Sequence, residues 1–300
     1  MSGALKEVRE RITSVKSTQQ ITNAMKMVSA AKLRRAQNAI TEMRPYANRL
    51  QRMMKNILSN IEGDASSSFG KEREKTNVAM VIITSNRGLC GAFNTNVIKA
   101  AIKKINTDYK SFAESGNLTI YGIGKKGNDA AKKLYGADMV NSNYVNLFSD
   151  LSYDNVSAVS QELMDSFISG KYDEVFVSYG RFKNAVVQYP ECLQFLPVQK
   201  VEQAKDEDAS KMKADYIFEP NEHELLEQLI PSILQTTFHK YVLENHASEH
   251  GARMSAMDSA TENAKELLNE LKISYNKARQ ESITNEILEI VGGAAALEGG

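Results

Sequence analysis

The chain has 300 residues, of which 42% are hydrophobic and 25% are charged, with 37 basic and 37 acidic side chains. This composition excludes a disordered or collagen-like chain, and no apolar run approaches the roughly 18 residues that span a membrane. The balanced charge hides an asymmetry, because residues 1–60 carry +9, residues 61–201 carry +1 and residues 202–300 carry −10. The two cysteines, Cys90 and Cys192, match no metal or redox spacing, which predicts a reduced, cytosolic type of compartment.

A single long helix is predicted for residues 1–61. Its apolar residues recur mainly at alternating spacings of three and four, which is typical of a coiled-coil seam. They are Leu5, Val8, Ile12, Val15, Ile21, Met25, Val28, Ala36, Ile40, Met43, Ala47, Leu50, Met54, Ile57 and Ile61. Pro45 would normally end a helix because it removes a backbone hydrogen bond, but the stripe keeps its phase across it. We therefore predict a kinked helix that continues through Pro45.

An α/β domain is predicted for residues 76–198, between linkers at 62–75 and 199–215. Segments typical of buried strands alternate with helical stretches, which favours a small, mainly parallel sheet with flanking helices. The predicted strands are 78–84, 118–121, 174–179 and 185–196, and the predicted helices are 94–105, 128–134 and 156–168. The predicted fold class is thus an α/β insert on a long antiparallel α-helical coiled coil.

A second long helix is predicted for residues 216–300, starting near Asn221, with bends at Pro231 and Gly251. Its seam residues again recur at spacings of three and four. They are Met254, Met257, Thr261, Ala264, Leu268, Leu271, Tyr275 and Ala278. Because the two seams carry opposite charge and each needs a partner, we predict that the two helices pair antiparallel.

The helix limits alone predict a register in which the numbers of facing residues sum to about 280. Met25 should then face residues 253–255, and Leu5 should face about Tyr275. The chain beyond Ala278 has no helical partner in this register, so it should form a lone apolar helix of roughly 30–35 Å. An apolar helix does not stay exposed in water, which predicts a surrounding apolar sleeve from a partner.

A glycine-rich motif is the strongest hint of an enzyme. The run Gly122-Ile-Gly124-Lys-Lys-Gly127 follows a predicted strand and precedes a helix, as a dinucleotide-binding turn does. However, no clean strand ending in an acidic residue follows about twenty residues later, and the domain's first strand carries a different loop. The favoured interpretation is a tight strand-to-helix turn without a cofactor, and a dinucleotide-dependent enzyme is the alternative.

The remaining reactive side chains predict neither a catalytic nor a metal site. Cys90 has no histidine near it in its loop, so a buried, small apolar role is favoured over a nucleophile. His246 and His250 have a spacing that binds metals when both face one cavity. Glu249 does not stand where a metalloprotease motif requires it, and solvated helix histidines are the favoured interpretation.

The basic first helix leaves two interpretations open. Clustered lysines and arginines release counterions from phosphates, so a coiled-coil nucleic-acid binder is one of them. No aromatic side chains are interleaved with these charges as a stacking platform for bases would require. An acidic protein partner fits the charge equally well.

Two long motifs carry a resemblance to a known family. They are Ile21-Thr-Asn-Ala-Met-Lys-Met-Val-Ser-Ala-Ala-Lys-Leu-Arg-Arg-Ala-Gln37 and Ile283-Thr-Asn-Glu-Ile-Leu-Glu-Ile-Val-Gly-Gly-Ala-Ala-Ala296. Both are similar to signatures of the gamma subunit family of bacterial-type rotary F-type ATP synthases. Residues 85–94 and 249–258 also resemble this family, so the resemblance covers essentially the whole chain. One departure is Gly251, where the family pattern has alanine and where the glycine would loosen the helix.

The resemblance implies a rotor subunit without a catalytic site or cofactor of its own. Its helical pair would be the shaft within a ring of alpha and beta subunits, and its α/β domain would contact the epsilon subunit and the membrane-embedded c ring. It implies a peripheral protein on the cytoplasmic face of the bacterial inner membrane, with no nucleic-acid partner.

The resemblance also implies partner contacts for named residues. Lys26, Lys32, Arg34 and Arg35 would present charge to an acidic loop of beta. Met25, Arg253 and Gln280 would lie where the shaft meets beta, with Thr284 and Glu286 nearby. Tyr216 and Glu219 would face the polar loops of the c ring.

Overall fold

The computed structural model of the chain describes residues 3–60, 69–70, 73–198 and 222–298. Within these residues the α-helices are α1 (Gly3–Asn60), α2 (Phe93–Asp108), α3 (Lys110–Ser115), α4 (Lys125–Tyr135), α5 (Tyr153–Ile168) and α6 (Glu222–Glu298). The strands are β1 (Val78–Ile83), β2 (Leu118–Ile123), β3 (Val140–Asn141), β4 (Glu174–Phe182) and β5 (Gln188–Leu196). The chain divides into two compact units: a helical unit of residues 1–29 and 254–300, and a mixed unit of residues 30–253.

Both long helices are continuous through their potential breakers. α1 runs through Pro45, as predicted, and α6 runs through Pro231 and Gly251. α1 ends at Asn60 and α6 begins at Glu222, each next to its predicted limit. The prediction that α1 continues through Pro45 is therefore confirmed, because the apolar stripe keeps its phase across the proline.

The two helices pair antiparallel within the helical unit, as predicted. The hydroxyl oxygens of Thr22 and Thr261 lie 2.8 Å apart, and the Lys26 ammonium lies 2.5 Å from the Asp258 carboxylate. These pairs sum to 283 and 284, about one helical turn beyond the predicted register. Met25 is consequently level with about residue 258 rather than with residues 253–255. The prediction assumed helices with flush ends, whereas the packed seam decides the register.

The seam of α6 in the helical unit is confirmed, but that of α1 is corrected at two positions. Ile21 and Val28 are 60% and 57% exposed, while their neighbours Thr22 and Ser29 are buried. The buried hydroxyls are satisfied by their own helix, since Thr22 donates to Gln19 O and Ser29 donates to Met25 O. A hydroxyl that bonds the preceding turn can occupy a seam position, which a pattern of apolar residues alone does not reveal.

The mixed unit contains the predicted, mainly parallel sheet. Its strand order is β3-β2-β1-β4-β5, with β1 parallel to both β2 and β4, and with only β5 antiparallel to its neighbour. β1 is buried along its whole length because helices cover both faces of the sheet. β3 and α3, which the sequence analysis did not predict, are too short to show a periodic pattern.

Alternate residues of the strands face two separate layers of helix. Ala79, Val81 and Ile83 of β1 pack in the cluster that contains α5 and the stretch 230–242 of α6. The intervening residues of β1 pack in the cluster that contains α2 and α4. The result is a three-layer domain in which the beginning of α6 is part of the core.

Part of a predicted linker also belongs to this core. Phe69, within the predicted linker 62–75, is buried among the residues of the α5 layer, and its carbonyl accepts a hydrogen bond from Val198. Most of both predicted linkers lies outside the described residues. The domain boundaries 1–61, 76–198 and 216–300 stay a prediction. No helix in the described part of the chain is both long and apolar enough to cross a membrane.

Candidate functional site

The carboxyl edge of the parallel strands is where an α/β sheet normally binds its ligand, at the point where the strand order reverses. Here that point lies between β1 and β4, because α2 and α5 cover opposite faces of the sheet. The side chains that reach this edge come from residues 245–253 of α6, which contact β4 and the loop after β1. The chain therefore places its own helix where a ligand would bind.

The glycine-rich turn after β2 is occupied by protein groups. The first backbone N–H groups of α4 donate to the loop after β1: Lys125 to Asn86 Oδ1, Lys126 to Ser85 O and Gly127 to Thr84 Oγ1 at 2.7 Å. These are the donors with which a dinucleotide-binding turn would hold a pyrophosphate. The predicted tight strand-to-helix turn is confirmed, and its glycines allow the close approach of Thr84.

The contact of α6 with β4 centres on the backbone of one residue, Gly180. The Gly180 N–H donates to Asn245 Oδ1 at 3.0 Å, and the Gly180 carbonyl accepts from the Ser248 hydroxyl at 2.8 Å. Asn245 and Ser248 are one turn apart, so they point to the same side of the helix. Both side chains are completely buried. Together they bind the strand backbone on both its donor and its acceptor side.

The contact of α6 with the loop after β1 is ionic. Arg253 donates to the carbonyl oxygens of Arg87 and Gly88 and forms a salt bridge of 2.5 Å with Glu249 on the preceding turn. Burial raises the pKa of the Glu249 carboxyl, and the hydrogen bond from Arg253 acts in the opposite direction. The pair is almost fully buried, so each charge depends on the other for its stability.

Gly251 lies at a close contact between α6 and the turn that joins β4 to β5. A Cβ at this position would lie 3.1 Å from the carbonyl oxygen and 3.2 Å from the Cα of Ala185, in the turn between β4 and β5. The expected loosening of the helix stays a prediction. The glycine lets the β4–β5 turn approach the surface of α6 closely.

We expect Gly251→Ala to lower the free energy of unfolding by roughly 1 kcal/mol, although alanine favours a helix. The β4–β5 turn does not yield easily, because the Asn184 side chain accepts hydrogen bonds from the backbone of Val186 and Val187. Urea unfolding of the full chain measures the change. Gly293→Ala is the matched control, since it lies in the same helix with open space around it; equal effects of the two variants would contradict this account.

His250 is buried and His246 is half-buried, which corrects the prediction of solvated side chains. The Nε2 atoms of His246 and His250 lie 3.0 Å apart, and the His246 ring stacks on Phe148. Burial lowers the pKa of His246 to about 4 and that of His250 to about 3, so both rings are neutral at pH 7. Among the described residues no cluster of three or more potential ligands surrounds a metal position. The pair is thus a packed, hydrogen-bonded element of the core.

The predicted partner residues of the helices have different environments. Lys32, Arg34 and Arg35 of α1 are exposed, whereas Met25 and Lys26 are half-buried and Lys26 is paired with Asp258. Arg253 is buried against the sheet edge. The other predicted contacts on the described part of α6 are exposed, namely Gln280, Thr284 and Glu286. Tyr216 and Glu219 lie outside the described residues.

The C-terminal part of α6 exposes apolar side chains, as predicted. Ala278 is half-buried, and from residue 279 to residue 294 every side chain is exposed except that of Ser282, which is half-buried. The large apolar side chains of this stretch are Ile283, Ile287, Leu288, Ile290 and Val291. A stretch of this kind is typical of an interface with another protein.

The contacts of α6 at the sheet edge were not predicted from the sequence. Glu244, Asn245, Ser248 and Glu249 are buried polar residues. One signal was available: polar residues at spacings of three and four immediately precede the regular apolar seam. Their partners on β4 and in the loop after β1 are distant in sequence, so the sequence pattern could not predict which residues they contact.

Comparisons with known proteins agree on one family. The model of the family described as ATP synthase matches residues 4–297. A protein called "ATP synthase gamma chain" from Christiangramia forsetii is 50% identical over 98% of this chain and 99% of its own length. The protein of the same name from Geobacter sp. is 42% identical over 98% and 99%.

Solved structures show the same fold. A chain of the Euglena gracilis mitochondrial ATP synthase (OSCP/F1/c-ring) has a TM-score of 0.66 and 24% identity, covering 100% of this chain and 96% of that one. A chain from the central stalk and c-ring of the Tetrahymena thermophila mitochondrial ATP synthase has a TM-score of 0.56 and 20% identity, covering 80% and 99%.

Proposed function

Because the chain belongs to the ATP synthase family and to its gamma chains, we propose that it is the central rotor shaft of an F-type ATP synthase. In this role it couples ion flow through the membrane c ring to conformational cycling of the catalytic beta subunits. ATP is made and hydrolysed on those subunits, and this chain makes no covalent bond itself.

The exposed apolar end of α6 supports this function best. Residues 279–298 continue as helix for about 30 Å, and their described side chains are almost all exposed. Such a surface requires an apolar sleeve, which the ring of alpha and beta subunits supplies. Small and aliphatic side chains form few directional bonds, so the helix end can turn within the sleeve without being held at one angle.

The basic surface of α1 supports a second contact. Lys32, Arg34 and Arg35 are exposed and unshielded by the apolar seam, so they suit an acidic loop of a beta subunit. Charge attraction acts over a distance and speeds association, which suits a contact that must form and break at every step of rotation. By resemblance, Met25, Lys26, Gln280, Thr284 and Glu286 are assigned to the contact of the shaft with beta, as is Arg253, which is buried against the sheet edge.

The α/β domain faces the membrane sector in this proposal. It binds the epsilon subunit and the c ring, with Tyr216 and Glu219 directed to the polar loops of that ring. The protein is therefore peripheral, attached through the c ring to the cytoplasmic face of a bacterial inner membrane.

Co-purification tests this function directly. A tagged full chain expressed with its neighbouring subunits should elute with alpha and beta subunits and should be required for ATP-driven ion pumping. A chain that elutes alone while the alpha and beta subunits assemble without it would contradict the proposal. The nucleic-acid alternative predicts instead a sequence-preferring DNA affinity that falls steeply with salt.

We expect Met25→Lys to impair coupling between ATP hydrolysis and ion pumping. The substitution adds a positive charge to a basic helix and creates a new attraction to the acidic loop of beta, which slows release of that contact. The measurement is the number of ions pumped per ATP hydrolysed in membrane vesicles. Met25→Leu is the control that keeps the volume and adds no charge; a normal ratio in Met25→Lys would remove this residue from the interface.

A further inference from the structure

At the sheet edge, α6 is held by hydrogen bonds from Asn245, Ser248 and Arg253 to or from backbone groups. Apolar packing alone would have been sufficient for stability at this contact. β1 pairs with β4 only as far as Ser178, so Gly180 lies in the part of β4 beyond that pairing. Asn245 accepts a hydrogen bond from the Gly180 N–H and Ser248 donates one to the Gly180 carbonyl, as the backbone of a neighbouring strand would. Two side chains of one helix thus take the place of a strand.

The fit at this point is close. A Cβ on Gly180 would lie 2.5 Å from the ring of Phe93 and 3.3 Å from the Ser248 Cβ. Glycine at position 180 therefore leaves room for the Phe93 ring of α2 and allows the close contact with Ser248 of α6. The strand backbone is accessible to Asn245 and Ser248 at a point where α2 and α6 both pack closely against it.

The contact also retains polar atoms that cost stability. Asn245 Nδ2 and Glu244 Oε2 are buried and have no hydrogen-bond partner among the described residues. A buried polar atom without a partner is unfavourable, and apolar side chains of similar size would remove that penalty. The hydrogen bonds that Asn245 and Ser248 make to Gly180 offset this penalty. They also fix both the angle and the position of the helix relative to the strand.

A second anchoring point lies on the other side of the same crevice. Arg253 binds the carbonyl groups of Arg87 and Gly88 after β1, two turns along α6 from Asn245. Between residues 230 and 242 the same helix packs in the core beneath the sheet with apolar side chains, namely those of Ile230, Leu234, Phe238 and Val242. Apolar contacts hold the helix against the sheet but resist sliding and turning weakly, since they are not directional.

We propose that residues 245–253 of α6 act as the built-in ligand of the α/β domain, occupying the crevice at which such domains bind small molecules. Asn245, Ser248, Glu249 and Arg253 form a polar anchor. They are positioning residues that prevent α6 from turning or sliding against the sheet when the rotor is under load. This inference rests on the proposed function, because an anchor of this kind matters where the domain must pass rotation to the helix.

The test compares Asn245→Leu/Ser248→Ala with Leu234→Ala in the assembled complex. The first variant removes both bonds to Gly180, and the second removes a buried apolar side chain from the same helix and the same sheet contact. Thermal unfolding establishes that the two variants are destabilised to a similar degree. Ion pumping per ATP hydrolysed is then measured in vesicles against an increasing opposing ion gradient.

The anchor variant should hydrolyse ATP but lose pumping stoichiometry as the gradient rises, while Leu234→Ala keeps the wild-type ratio. Hydrogen exchange of the Gly180 amide in the full chain should accelerate about 5- to 150-fold in the anchor variant only. An anchor variant that pumps like Leu234→Ala at every gradient overturns the inference. Ser248→Ala alone serves if the double variant does not assemble. A wild-type complex that does not pump would contradict the proposed function instead.

Discussion

Replacing Gly124 with alanine is expected to be among the most destabilising single substitutions in the α/β domain. Gly124 has a φ of +86°, and a Cβ there would lie 2.1 Å from the carbonyl oxygen of Thr84. The substitution adds backbone strain to a steric clash with the backbone of the loop after β1. We expect a loss of about 2–6 kcal/mol in the free energy of unfolding, measured by urea unfolding of the full chain.

Gly136→Ala is the matched control for this substitution. Gly136 has a φ of +90° and a ψ of 161°, close to the 86° and 140° of Gly124, but its Cβ would meet no atom within 4 Å. It should therefore show the backbone strain alone, about 1–3 kcal/mol. If both variants lose the same stability, the close contact between the glycine-rich turn and Thr84 does not exist in solution.

Replacing Arg253 with methionine is the second substitution with a large expected effect. It leaves the Glu249 carboxylate buried without its partner and removes the donor from the carbonyl groups of Arg87 and Gly88. Breaking a buried ion pair on one side costs about 3–5 kcal/mol. We expect a loss of this size at pH 7, measured by urea unfolding of the full chain followed by circular dichroism.

The effect should depend on pH in a defined direction. Burial raises the pKa of Glu249 above that of the unfolded chain, and Arg253 limits this rise. Without Arg253 the folded pKa rises further, so the folded state binds more protons than the unfolded state above the ordinary carboxyl pKa. Stability then falls as pH increases through that range. Arg253→Met should accordingly lose less stability near pH 5 than at pH 7.

Two further variants separate this account from a general effect of charge. Lys265→Met removes one partner of the exposed pair with Glu262 and should change stability by about 0.5 kcal/mol or less. Glu249→Gln/Arg253→Met removes both buried charges and should recover a large part of the loss. A double variant as unstable as Arg253→Met, or a loss that is independent of pH, would contradict a buried Glu249 carboxylate.

The sheet has the strand order of a ligand-binding α/β domain, but protein groups of the same chain fill the places where a ligand would bind. The donors of the glycine-rich turn bond Thr84, Ser85 and Asn86, and the crevice between β1 and β4 contacts Asn245 and Arg253. An α/β fold fixes the place of a site but not its occupant. In this chain the occupant is part of the same polypeptide.

The apolar pattern of the sequence predicted both long helices and the order of the longer strands and helices of the α/β domain. Eight apolar residues from Ala36 to Ile61, at alternating spacings of four and three, predicted that α1 continues across Pro45. The regular seam from Met257 to Leu271 identified the paired part of α6. The resemblance of residues 21–37 and 283–296 identified the family. These features are local or periodic. They can therefore be predicted from neighbouring residues in the sequence, without knowledge of contacts that are distant in sequence.

The tertiary structure alone decided where polar residues are buried. Thr22 and Ser29 replace Ile21 and Val28 in the seam because their hydroxyls bond the preceding turn. His250 is buried although charged and polar residues surround it in sequence. Burial of a polar group depends on whether a partner is present at the right distance, and that partner is set by the fold rather than by the pattern.

The register of the long helices and the anchoring of α6 were decided in the same way. Thr22 faces Thr261 and Gly180 bonds Asn245 across more than sixty residues of intervening chain. Periodicity fixes which face of a helix is buried but is unchanged when the helix slides by one turn along its partner. Only the packed side chains remove that freedom, which is why the sequence by itself determined the fold and the family, and the tertiary structure determined the contacts.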